Sequence, residues 1–428
     1  MEHSNKKYDI VVVGGGPAGL LAAGKAAMDG ASVLVLEKME KPCRKLRISG
    51  KGRCNITTTK PFDEFIEEVK PNGNFLRDAL KEFFANDIIS LLNAMGVATV
   101  EERGQRVFPA SGKAWDVAEA LIKWTKSLGV NIECHSSVTD IKAANSKVES
   151  ISFSTKESRN STTIGCSKVI IATGGKSYPL TGSTGEGHQL LANLGHTLTP
   201  LLPVLVGLNT QPKISDTKGL TLKNVKVTLI SNGKTIEEEF GELEIMPYGL
   251  SGPTILKLSR NAVELLSKGK PCELEVDLKP ALGPEKLFNR IERDIATFSR
   301  ISAIELMRKL LPSEMAFFVL EETGIGGQKV ASRLSKADIE NIRDTLKRIV
   351  FKVKSSRGWD EAIITAGGVS LKEVNPKTME SNIVKGLYIV GETLDLDGPT
   401  GGYNLQIAYS TGWLAGKSAA HEIRTNEK

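Results

Sequence analysis

A glycine-rich turn near the amino terminus limits the possible folds of this chain more than any other feature. The turn, Gly14-x-Gly16-x-x-Gly19, lies between an apolar β-branched run, Tyr8–Val13, and an Ala- and Leu-rich stretch, Pro17–Met28. This pattern predicts a strand that is buried on both faces and is followed at once by a helix. The first glycine permits a tight turn, the second lets the backbone approach a pyrophosphate, and the third allows close helix–strand packing. The sequence therefore predicts a pyrophosphate bound at the helix N-terminus.

An acidic residue follows in the place where such a motif needs one. The apolar run Ser32–Leu36 predicts a second buried strand, and it ends at Glu37. A carboxylate there accepts hydrogen bonds from the ribose hydroxyls of an adenosine nucleotide and disfavours a 2′-phosphate, which argues against NADP at this position. A bare GxGxxG motif is weak, but strand, helix and acid together supply the context that it requires. The alternative is a glycine-rich turn in another α/β fold.

Composition excludes several other classes of protein. Of the 428 residues, 40% are hydrophobic and 25% are charged, so the bulk of the chain is not disordered. The 56 Lys and Arg against 50 Asp and Glu give a net charge of +6, which neither requires nor excludes nucleic acid. The five cysteines contain no CxxC pair and the five histidines no HExxH motif, so we predict no disulfide scaffold and no metal site.

The apolar run at the start of the chain does not indicate a secretory signal, because Gly14-Gly15-Gly16-Pro17 interrupts it. No stretch of about 18 uncharged apolar residues predicts a membrane-spanning helix. We therefore expect a cytoplasmic protein that does not enter a membrane. The sequence leaves the oligomeric state, monomer or dimer, open.

The hydrophobic pattern predicts an α/β fold: a discontinuous Rossmann-type FAD-binding domain, formed by 1–197 and 354–428, with an inserted domain over 198–353. The first half of the insert, 198–280, shows short alternating strands and is predicted to be β-barrel-like, and the second half, 281–353, is predicted to be mostly helical. The Asn232-Gly233 pair predicts a hairpin turn within the first half.

Within the two outer segments, helical periodicity predicts helices over 75–95 and 114–128. A last helix is predicted over 402–423.

A second glycine cluster distinguishes FAD from NAD. A buried strand ends at Gly391-Glu392, and the turn Gly401-Gly402-Tyr403-Asn404 precedes the last helix. FAD is extended, so its flavin end needs a part of the chain far from the first turn. A helix N-terminus at Gly402 would stabilise an anionic reduced flavin at its N1/O2 edge. Alone, the cluster is equally consistent with a capped turn; with the first motif it favours FAD.

The chain resembles the bacterial two-lobed flavoproteins labelled aminoacetone oxidase or NAD(P)/FAD-dependent oxidoreductase, a family that includes a bile-acid 3-oxo-Δ4-reductase. The segment 181–187 is also similar to flavoproteins of the fumarate-reductase and ketosteroid-dehydrogenase type. The resemblance covers nearly the whole chain and rests on the strings GGGPAG (14–19), RKLRISGKGRCN (44–55), ATGGKSYPLTGSTGEG (172–187), GLSGP (249–253), AGGVS (366–370), NPKTMES (375–381) and GLYIVGETLDLDGPTGGYNLQ (386–406).

This resemblance implies which residues contact FAD. Those expected at the adenosine and pyrophosphate are Gly14, Gly16, Pro17, Ala18, Gly19, Glu37 and Lys38, with Val138 at the adenine and Thr173 and Gly174 flanking the same end. Those expected along the ribityl chain and flavin are Lys45, Ser49, Gly50, Gly52, Arg53, Cys54, Gly391, Glu392, Gly402, Tyr403, Asn404 and Leu405.

The chain also departs from the family. Many members carry a Thr-His pair shortly before GLSGP, where this chain has Met246-Pro247-Tyr248. A catalytic role of that histidine therefore does not transfer, and the catalytic residue remains unknown. Tyr178, His188 and Tyr248 are candidates for a substrate pocket at the domain junction, although packing or capping roles are favoured for each.

Cys54 is either a thiol that faces the flavin or, as we favour for its chemistry, a small packing residue.

These observations predict an FAD-dependent oxidoreductase that acts on a small organic substrate of the amine, amino-ketone or enone class. Because a second GxGxxG motif is missing, NAD(P)H would visit the substrate pocket transiently, or the substrate itself would reduce the flavin. One alternative is an FAD-dependent RNA-modifying or RNA-binding protein, for which the basic loop Lys45–Arg53 is the possible contact, although nucleic acid is disfavoured. Another alternative is a flavin redox sensor without turnover.

Overall fold

The computed structural model describes residues 8–156, 161–214 and 219–426. None of the helices in these ranges combines the length and apolar composition that crossing a membrane requires. The strands of the described residues, in chain order, are β1 (Tyr8–Val13), β2 (Val33–Leu36), β3 (Thr57–Thr58), β4 (Thr99–Glu102), β5 (Arg106–Pro109), β6 (Asn131–Glu133), β7 (Ser136–Ala144), β8 (Lys147–Thr155), β9 (Thr162–Ile171), β10 (Leu202–Val204), β11 (Leu208–Gln211), β12 (Leu220–Ser231), β13 (Lys234–Met246), β14 (Gly249–Ser251), β15 (Glu273–Asp277), β16 (Ile349–Ser356), β17 (Ile364–Ala366) and β18 (Leu387–Ile389).

The α-helices of the same ranges, in chain order, are α1 (Pro17–Met28), α2 (Arg44–Ile48), α3 (Phe62–Glu68), α4 (Arg77–Glu82), α5 (Ala85–Ala94), α6 (Ala114–Ser127), α7 (Glu186–Asn193), α8 (Pro253–Ser267), α9 (Pro284–Thr297), α10 (Ala303–Arg308), α11 (Ser313–Thr323), α12 (Lys336–Lys347) and α13 (Tyr403–Asn426). The chain divides into two compact units. Unit 1 comprises Met1–Leu202 with Ile363–Lys428, and unit 2 comprises Pro203–Ala362.

Unit 1 is built on a sheet of seven strands in the described ranges. Strands β6, β2, β1, β9 and β18 lie side by side and are parallel. The first half of β9 also pairs with β8 in the antiparallel sense, and β8 pairs with β7. Strands β3, β5 and β4 form a smaller antiparallel sheet. This arrangement confirms the predicted Rossmann-type domain.

The central strands of unit 1 are buried on both faces, as their unbroken apolar runs require. Ile10, Val11 and Val12 of β1 are fully buried, as are Val169 and Ile170 of β9. Helix α1 follows β1 and packs closely against α13, which brings the last helix of the chain onto the first. The earliest and latest parts of the sequence therefore share one core.

The continuous helix predicted over 75–95 is wrong, because the chain breaks at Phe83 and Phe84. Both residues are extended, and α4 ends before them while α5 begins after them. The carbonyl of Phe83 accepts hydrogen bonds from the Gln406 amide and the Ser410 hydroxyl of α13, which replace its helical partner. The Asp87 carboxylate accepts from the Phe84 N–H and caps α5. A tertiary contact thus overrides a continuous helical periodicity.

Unit 2 contains a closed barrel with the strand order β11-β14-β13-β12-β15-β16. Helices α9 to α12 lie in the chain between β15 and β16, the last barrel strand. The barrel confirms the predicted class of the insert. The hairpin turn is also confirmed, since Asn232 and Gly233, both with positive φ, join β12 to β13 where Ser231 pairs with Lys234.

The prediction that the strands of unit 2 are short is wrong for two of them, because β12 has 12 residues and β13 has 13. Helix α8 was also not predicted, although its buried residues Ile255, Leu258 and Ala262 have helical spacing.

Candidate functional site

The ends of four parallel strands define the candidate site at the carboxyl edge of the unit 1 sheet. Val13 of β1 lies beside Leu36 of β2 and Ile171 of β9, and Ile171 lies beside Ile389 of β18. The segments that follow these strands therefore begin at one level. In open α/β sheets, ligands bind at this edge, where the strand order reverses.

The three glycines of the first turn occupy the three expected environments. Gly14 has φ +101°, and a Cβ there would lie 2.5 Å from the Ala172 carbonyl oxygen. A Cβ on Gly19 would lie 2.0 Å from the carbonyl oxygen of Gly14, because α1 packs directly on the turn. A Cβ on Gly16 would meet no protein atom within 4 Å, so this backbone is open to a ligand. No side chain caps the N-terminus of α1, which leaves its first N–H groups available to an anion.

Glu37 is anchored beside this turn. Its Oε2 accepts from the Gly15 N–H at 2.8 Å and its Oε1 accepts from the Met39 N–H at 2.8 Å. Burial raises the pKa of the Glu37 carboxyl, while the two backbone hydrogen bonds oppose that shift. A carboxylate has about four acceptor positions, so Glu37 keeps capacity for two ribose hydroxyls. The turn and Glu37 together fit the adenosine and pyrophosphate half of FAD.

Val138 and Lys38, which are also expected near the adenosine, differ in their surroundings. Ser136, at the start of β7, donates its N–H to the Glu37 carbonyl, and Val138 lies two residues further along that strand. Lys38 is engaged elsewhere in unit 1, since its Nζ donates to Thr184 Oγ1 at 2.7 Å and to Glu186 Oε2 at 2.9 Å. The ammonium of Lys38 thus holds the segment before α7, and its contact with FAD stays a prediction.

The basic loop after β2 is largely neutralised by carboxylates of the same unit. Its ion pairs join Arg44 to Glu40, Lys45 to Glu392, Arg47 to Glu119 and Arg53 to Glu102. The Arg53 guanidinium also lies 4.3 Å from the centre of the Phe108 ring. The loop therefore offers less uncompensated charge to a phosphate backbone than its sequence indicates.

The segment 49–54 forms a compact turn rather than a regular helix. Gly50 and Lys51 have left-handed backbone angles, and Gly50 and Gly52 are exposed. The Ser49 hydroxyl donates to the Leu46 carbonyl, and the Cys54 N–H donates to the Ser49 carbonyl. Cys54 is fully buried, and burial raises the pKa of its thiol to about 12. A thiol of this kind is not a nucleophile near neutral pH, which favours the packing role.

The segments after β9 and β18 meet at the same edge of the sheet. Gly174 and Gly391 both have positive φ, and Thr393 Oγ1 donates to the Gly174 carbonyl at 3.3 Å. The hydroxyl of Thr173 is buried and makes no hydrogen bond within the described part of the chain. The Gly391 N–H donates to Thr411 Oγ1 of α13 at 2.9 Å. The two glycine segments are thus tied to each other and to the last helix.

A polar network that the sequence did not reveal joins three of these segments. Lys45 Nζ donates to Glu392 and to Ser177, and the Glu392 carboxylate also accepts from the Thr365 N–H. Lys45 and Glu392 were predicted at the site, whereas Ser177 and Thr365 were not. Ser177 lies inside the ATGGKSYP string and could have been found there, but Thr365 precedes the AGGVS string without any motif of its own.

The second glycine turn is held by protein contacts. Gly402 has φ +98°, and a Cβ there would lie 2.5 Å from the Thr57 backbone, so this position requires glycine for packing on β3. The Asn404 amide accepts from the Gly398 N–H at 2.9 Å and donates to the Gly398 carbonyl at 2.7 Å. Tyr403 is buried and stacks on Phe65 at 4.8 Å between ring centres, and Leu405 packs against a buried cluster of unit 1. Contacts of these residues with flavin stay predictions.

The three candidates for the substrate pocket differ in environment. His188 of α7 is 2% exposed, and its Nε2 lies 3.2 Å from the Thr393 carbonyl oxygen. Burial lowers the pKa of His188, so the ring is neutral at pH 7. Tyr178 precedes a short 3₁₀ turn in unit 1 and has φ +53°. Tyr248 belongs to unit 2, where the Arg357 guanidinium lies 4.4 Å from the centre of its ring.

A Rossmann-type domain with this turn, this acid and an inserted barrel defines the class: the protein is an FAD-dependent oxidoreductase. More particularly, it belongs to the family described as the HI0933-like protein Rossmann domain, whose model matches residues 8–418.

Two relatives align over almost the whole chain. The chain is 31% identical over 413 residues to the 3-dehydro-bile acid delta(4,6)-reductase of Clostridium scindens. The alignment covers 96% of this chain and 98% of that protein. It is 30% identical over 420 residues to the ribosomal RNA dihydrouridine synthase of Haemophilus influenzae, with coverage of 96% and 98%.

A solved structure of a 3-ketosteroid delta1-dehydrogenase from Sterolibacterium denitrificans is similar with a TM-score of 0.54. The two chains are 14% identical, and the alignment covers 97% of this chain and 100% of the other. At this identity the similarity concerns the fold alone.

Proposed function

We propose that this protein reduces a carbon–carbon double bond conjugated to a carbonyl group in a small organic molecule. The observation that carries the proposal is the chemistry shared by two relatives that align over almost the whole chain. A delta(4,6)-reductase of a 3-dehydro bile acid and a dihydrouridine synthase both saturate a double bond in conjugation with a carbonyl. The enone class is therefore favoured over the amine and amino-ketone classes.

The geometry of unit 1 supports the following roles for residues of this chain. When bound and reduced, the flavin would supply a hydride to the β-carbon of the substrate, and addition of a proton at the α-carbon would complete the saturated product. The N–H groups at the start of α1, beside Gly16, hold the pyrophosphate, and Glu37 accepts from the ribose hydroxyls. The N-terminus of α13 is the predicted partner of the N1/O2 edge of the flavin, where its dipole favours negative charge.

The reaction needs an electron donor for each turnover. We propose NAD(P)H, which would bind transiently near the flavin, because the sequence has no second GxGxxG motif for a resident nucleotide. A substrate that is oxidised, such as an amino-ketone, would itself reduce the flavin and make NAD(P)H unnecessary, so the donor is part of the test below.

A second candidate substrate is a uracil base in RNA. Two ribosomal RNA dihydrouridine synthases, from Haemophilus influenzae and Escherichia coli, are 30% and 28% identical to this chain over 96% and 95% of its length. The ion pairs that neutralise the basic loop of unit 1 argue for the small molecule instead, because RNA binding depends on uncompensated Lys and Arg.

Anaerobic stopped-flow spectroscopy tests the proposal. The FAD-loaded protein is first mixed with NADH, NADPH or an amino-ketone, and flavin reduction is followed. The reduced protein is then mixed with cyclic enones or free uridine, and flavin reoxidation is followed. We expect rapid reoxidation by enones and saturated products by mass spectrometry.

A parallel incubation with NADPH and ribosomal RNA, analysed for dihydrouridine, decides between the two candidates. Dihydrouridine without any enone turnover would replace the first candidate by the second. Flavin reduction by amino-ketones, with no reoxidation by enones and no dihydrouridine, would contradict both.

A further inference from the structure

The ammonium group of Lys45 is held in one position at the carboxyl edge of the sheet. Its Nζ donates to Ser177 Oγ at 2.6 Å and to Glu392 Oε2 at 2.8 Å, with Glu392 Oε1 at 3.1 Å. The side chains of Lys45 and Glu392 are 25% and 16% exposed, so the ion pair is partly shielded from water. An ion pair in such a position is screened less than one on the open surface.

The carboxylate of Glu392 is almost completely occupied by protein donors. Besides Lys45, its Oε1 accepts from Ser177 Oγ at 2.9 Å and from the Thr365 N–H at 2.7 Å. A carboxylate offers about four lone-pair positions, and these contacts fill most of them. A Cβ on Gly175 would lie 2.8 Å from Glu392 Oε1, so the backbone also closes on this oxygen. Oε1 therefore has no capacity for a hydroxyl of a cofactor, and Oε2 is paired with the Lys45 ammonium.

The residues behind the ion pair form a rigid support. Ser177 and Thr365 are both fully buried. Thr365 Oγ1 accepts from the N–H groups of Lys176 and Ser177 at 2.7 and 3.1 Å, which fixes the segment after β9 against β17. Lys45 is therefore held by Ser177, whose position is fixed by its burial and by its hydrogen bond to Thr365.

The Lys45 ammonium acts on a ligand through its charge and not through a free N–H group. Its three N–H groups are matched by three acceptors, Ser177 Oγ and the two carboxylate oxygens of Glu392. Within the described ranges, no further acceptor contacts Lys45. The group lies among segments that follow β2, β9 and β18, the edge at which this kind of sheet binds ligands.

We propose that Lys45 presents a fixed positive charge to bound flavin, and that Glu392 is a positioning residue that acts through Lys45 and is not itself a ligand of FAD. The resemblance to known flavoproteins implied a direct contact between Glu392 and the cofactor, and the occupied carboxylate argues otherwise. The inference requires FAD binding but does not depend on the substrate proposed above.

A double-mutant cycle tests this relationship. Lys45→Met, Glu392→Gln and the double variant are loaded with FAD, and their midpoint potentials are measured by anaerobic equilibration with a reference dye. The dissociation constant of FAD is measured for each apoprotein. Both readouts are independent of turnover.

A positive charge beside the flavin stabilises its reduced, negatively charged form. Lys45→Met is therefore expected to lower the equilibrium constant for two-electron reduction about tenfold, which corresponds to about 30 mV. Glu392→Gln is expected to change that constant about threefold or more when Lys45 is present and to have no measurable effect in the Lys45→Met background. Glu392→Gln should bind oxidised FAD with less than about a threefold change in affinity, because its carboxylate is occupied by protein donors and is not a ligand of the cofactor.

A matched control is available in the same unit. Lys25 and Asp29, at the end of α1, form an ion pair with the same 2.8 Å separation. Lys25→Met and Asp29→Asn remove an ion pair at the opposite end of the helix from the glycine turn and should leave the flavin potential unchanged. A shift in these variants equal to that in Lys45→Met would overturn the assignment.

Three other results would also overturn the proposal: an unchanged potential in Lys45→Met, equal shifts from Glu392→Gln in both backgrounds, or loss of FAD binding in Glu392→Gln while Lys45→Met binds normally. If Glu392→Gln does not fold, Ser177→Ala takes its place in the cycle. It removes one acceptor of the Lys45 ammonium, and its effect must again disappear in the Lys45→Met background.

Discussion

The Glu37 carboxylate accepts a hydrogen bond from the Gly15 N–H, with 2.8 Å between Oε2 and N. The acid that ends β2 and the turn that follows β1 are thus joined directly, although 22 residues separate them along the chain. The same carboxylate is the predicted acceptor for the ribose of FAD. The shape of the turn and the affinity for the adenosine half are therefore coupled through one side chain.

Glu37→Ala should weaken FAD binding about 10- to 100-fold. The substitution removes a charged acceptor, and a hydrogen bond to a charged group contributes about 1.5–3 kcal/mol. Titration of the apoprotein with FAD, followed by flavin fluorescence, measures the loss. Glu40→Ala is the control, because the Glu40 carboxylate lies nearby and pairs with Arg44 outside the turn. Equal affinities of Glu37→Ala and wild type would show that Glu37 does not hold the ribose.

Two glycines of the same turn should respond differently to alanine. Gly19→Ala places a Cβ 2.0 Å from the Gly14 carbonyl oxygen, so the fold itself should lose about 1–3 kcal/mol by overpacking. Gly16→Ala places its Cβ in open space, so the apoprotein should lose less than about 1 kcal/mol, the range of an N-cap change. Gly16→Ala should nevertheless bind FAD much more weakly, because the pyrophosphate must approach that backbone.

Urea denaturation and FAD titration of both variants separate these effects. A Gly16→Ala protein that binds FAD as tightly as wild type would place the pyrophosphate elsewhere.

Acidification below pH 6.5 should destabilise unit 1 through two buried histidines. Burial lowers the pKa of His188 and of His196 below 6.5, and the Glu373 carboxylate 3.3 Å from His196 Nδ1 opposes this only partly. Below pH 6.5 the unfolded chain therefore binds more protons than the folded protein. The contribution of the two neutral histidines to the free energy of unfolding is complete above that pH and is lost as the pH falls towards their pKa values in the folded protein. The maximum slope is about 1.4 kcal/mol per pH unit for each histidine.

Denaturant unfolding at intervals from pH 7.5 to pH 5 measures this slope, and His188→Gln and His196→Gln should each reduce it. Losses from carboxyls with lowered pKa, such as Glu373, begin only below about pH 4.5 and do not overlap this range. An identical slope in both variants and wild type would refute the assignment.

Thiol labelling should detect one reactive cysteine in the native protein. Cys43, Cys54, Cys166 and Cys272 are buried, while Cys134 is partly exposed. Burial raises the pKa of Cys54, Cys166 and Cys272 to about 12, which leaves almost no thiolate at neutral pH. An aromatic disulfide reagent should therefore react first with Cys134, and with the others only after unfolding. Cys134→Ser should abolish the fast phase, and its persistence would indicate that another thiol opens to solvent.

Local sequence patterns were sufficient for the elements that carry the nucleotide motif. The strand Tyr8–Val13 and the helix Pro17–Met28 have the bounds that their apolar runs predicted, and the barrel of the insert was also anticipated. Chemistry within a few residues decides such features: β-branched runs favour buried strands, and a proline after a glycine turn favours a helix start. The Asn232-Gly233 hairpin formed for the same reason.

Contacts between distant segments, which only the tertiary structure shows, determine where a helix predicted from hydrophobic periodicity is interrupted. The helix predicted over 75–95 breaks because Gln406 and Ser410 of the last helix take the Phe83 carbonyl. The sequence alone indicated a glycine turn between a strand and a helix, followed by an acid, and it predicted a pyrophosphate at that turn. It did not determine that the Glu392 carboxylate would form an ion pair with Lys45. These two residues are 347 positions apart, and they can form a hydrogen bond only after the sheet has brought its strand ends together.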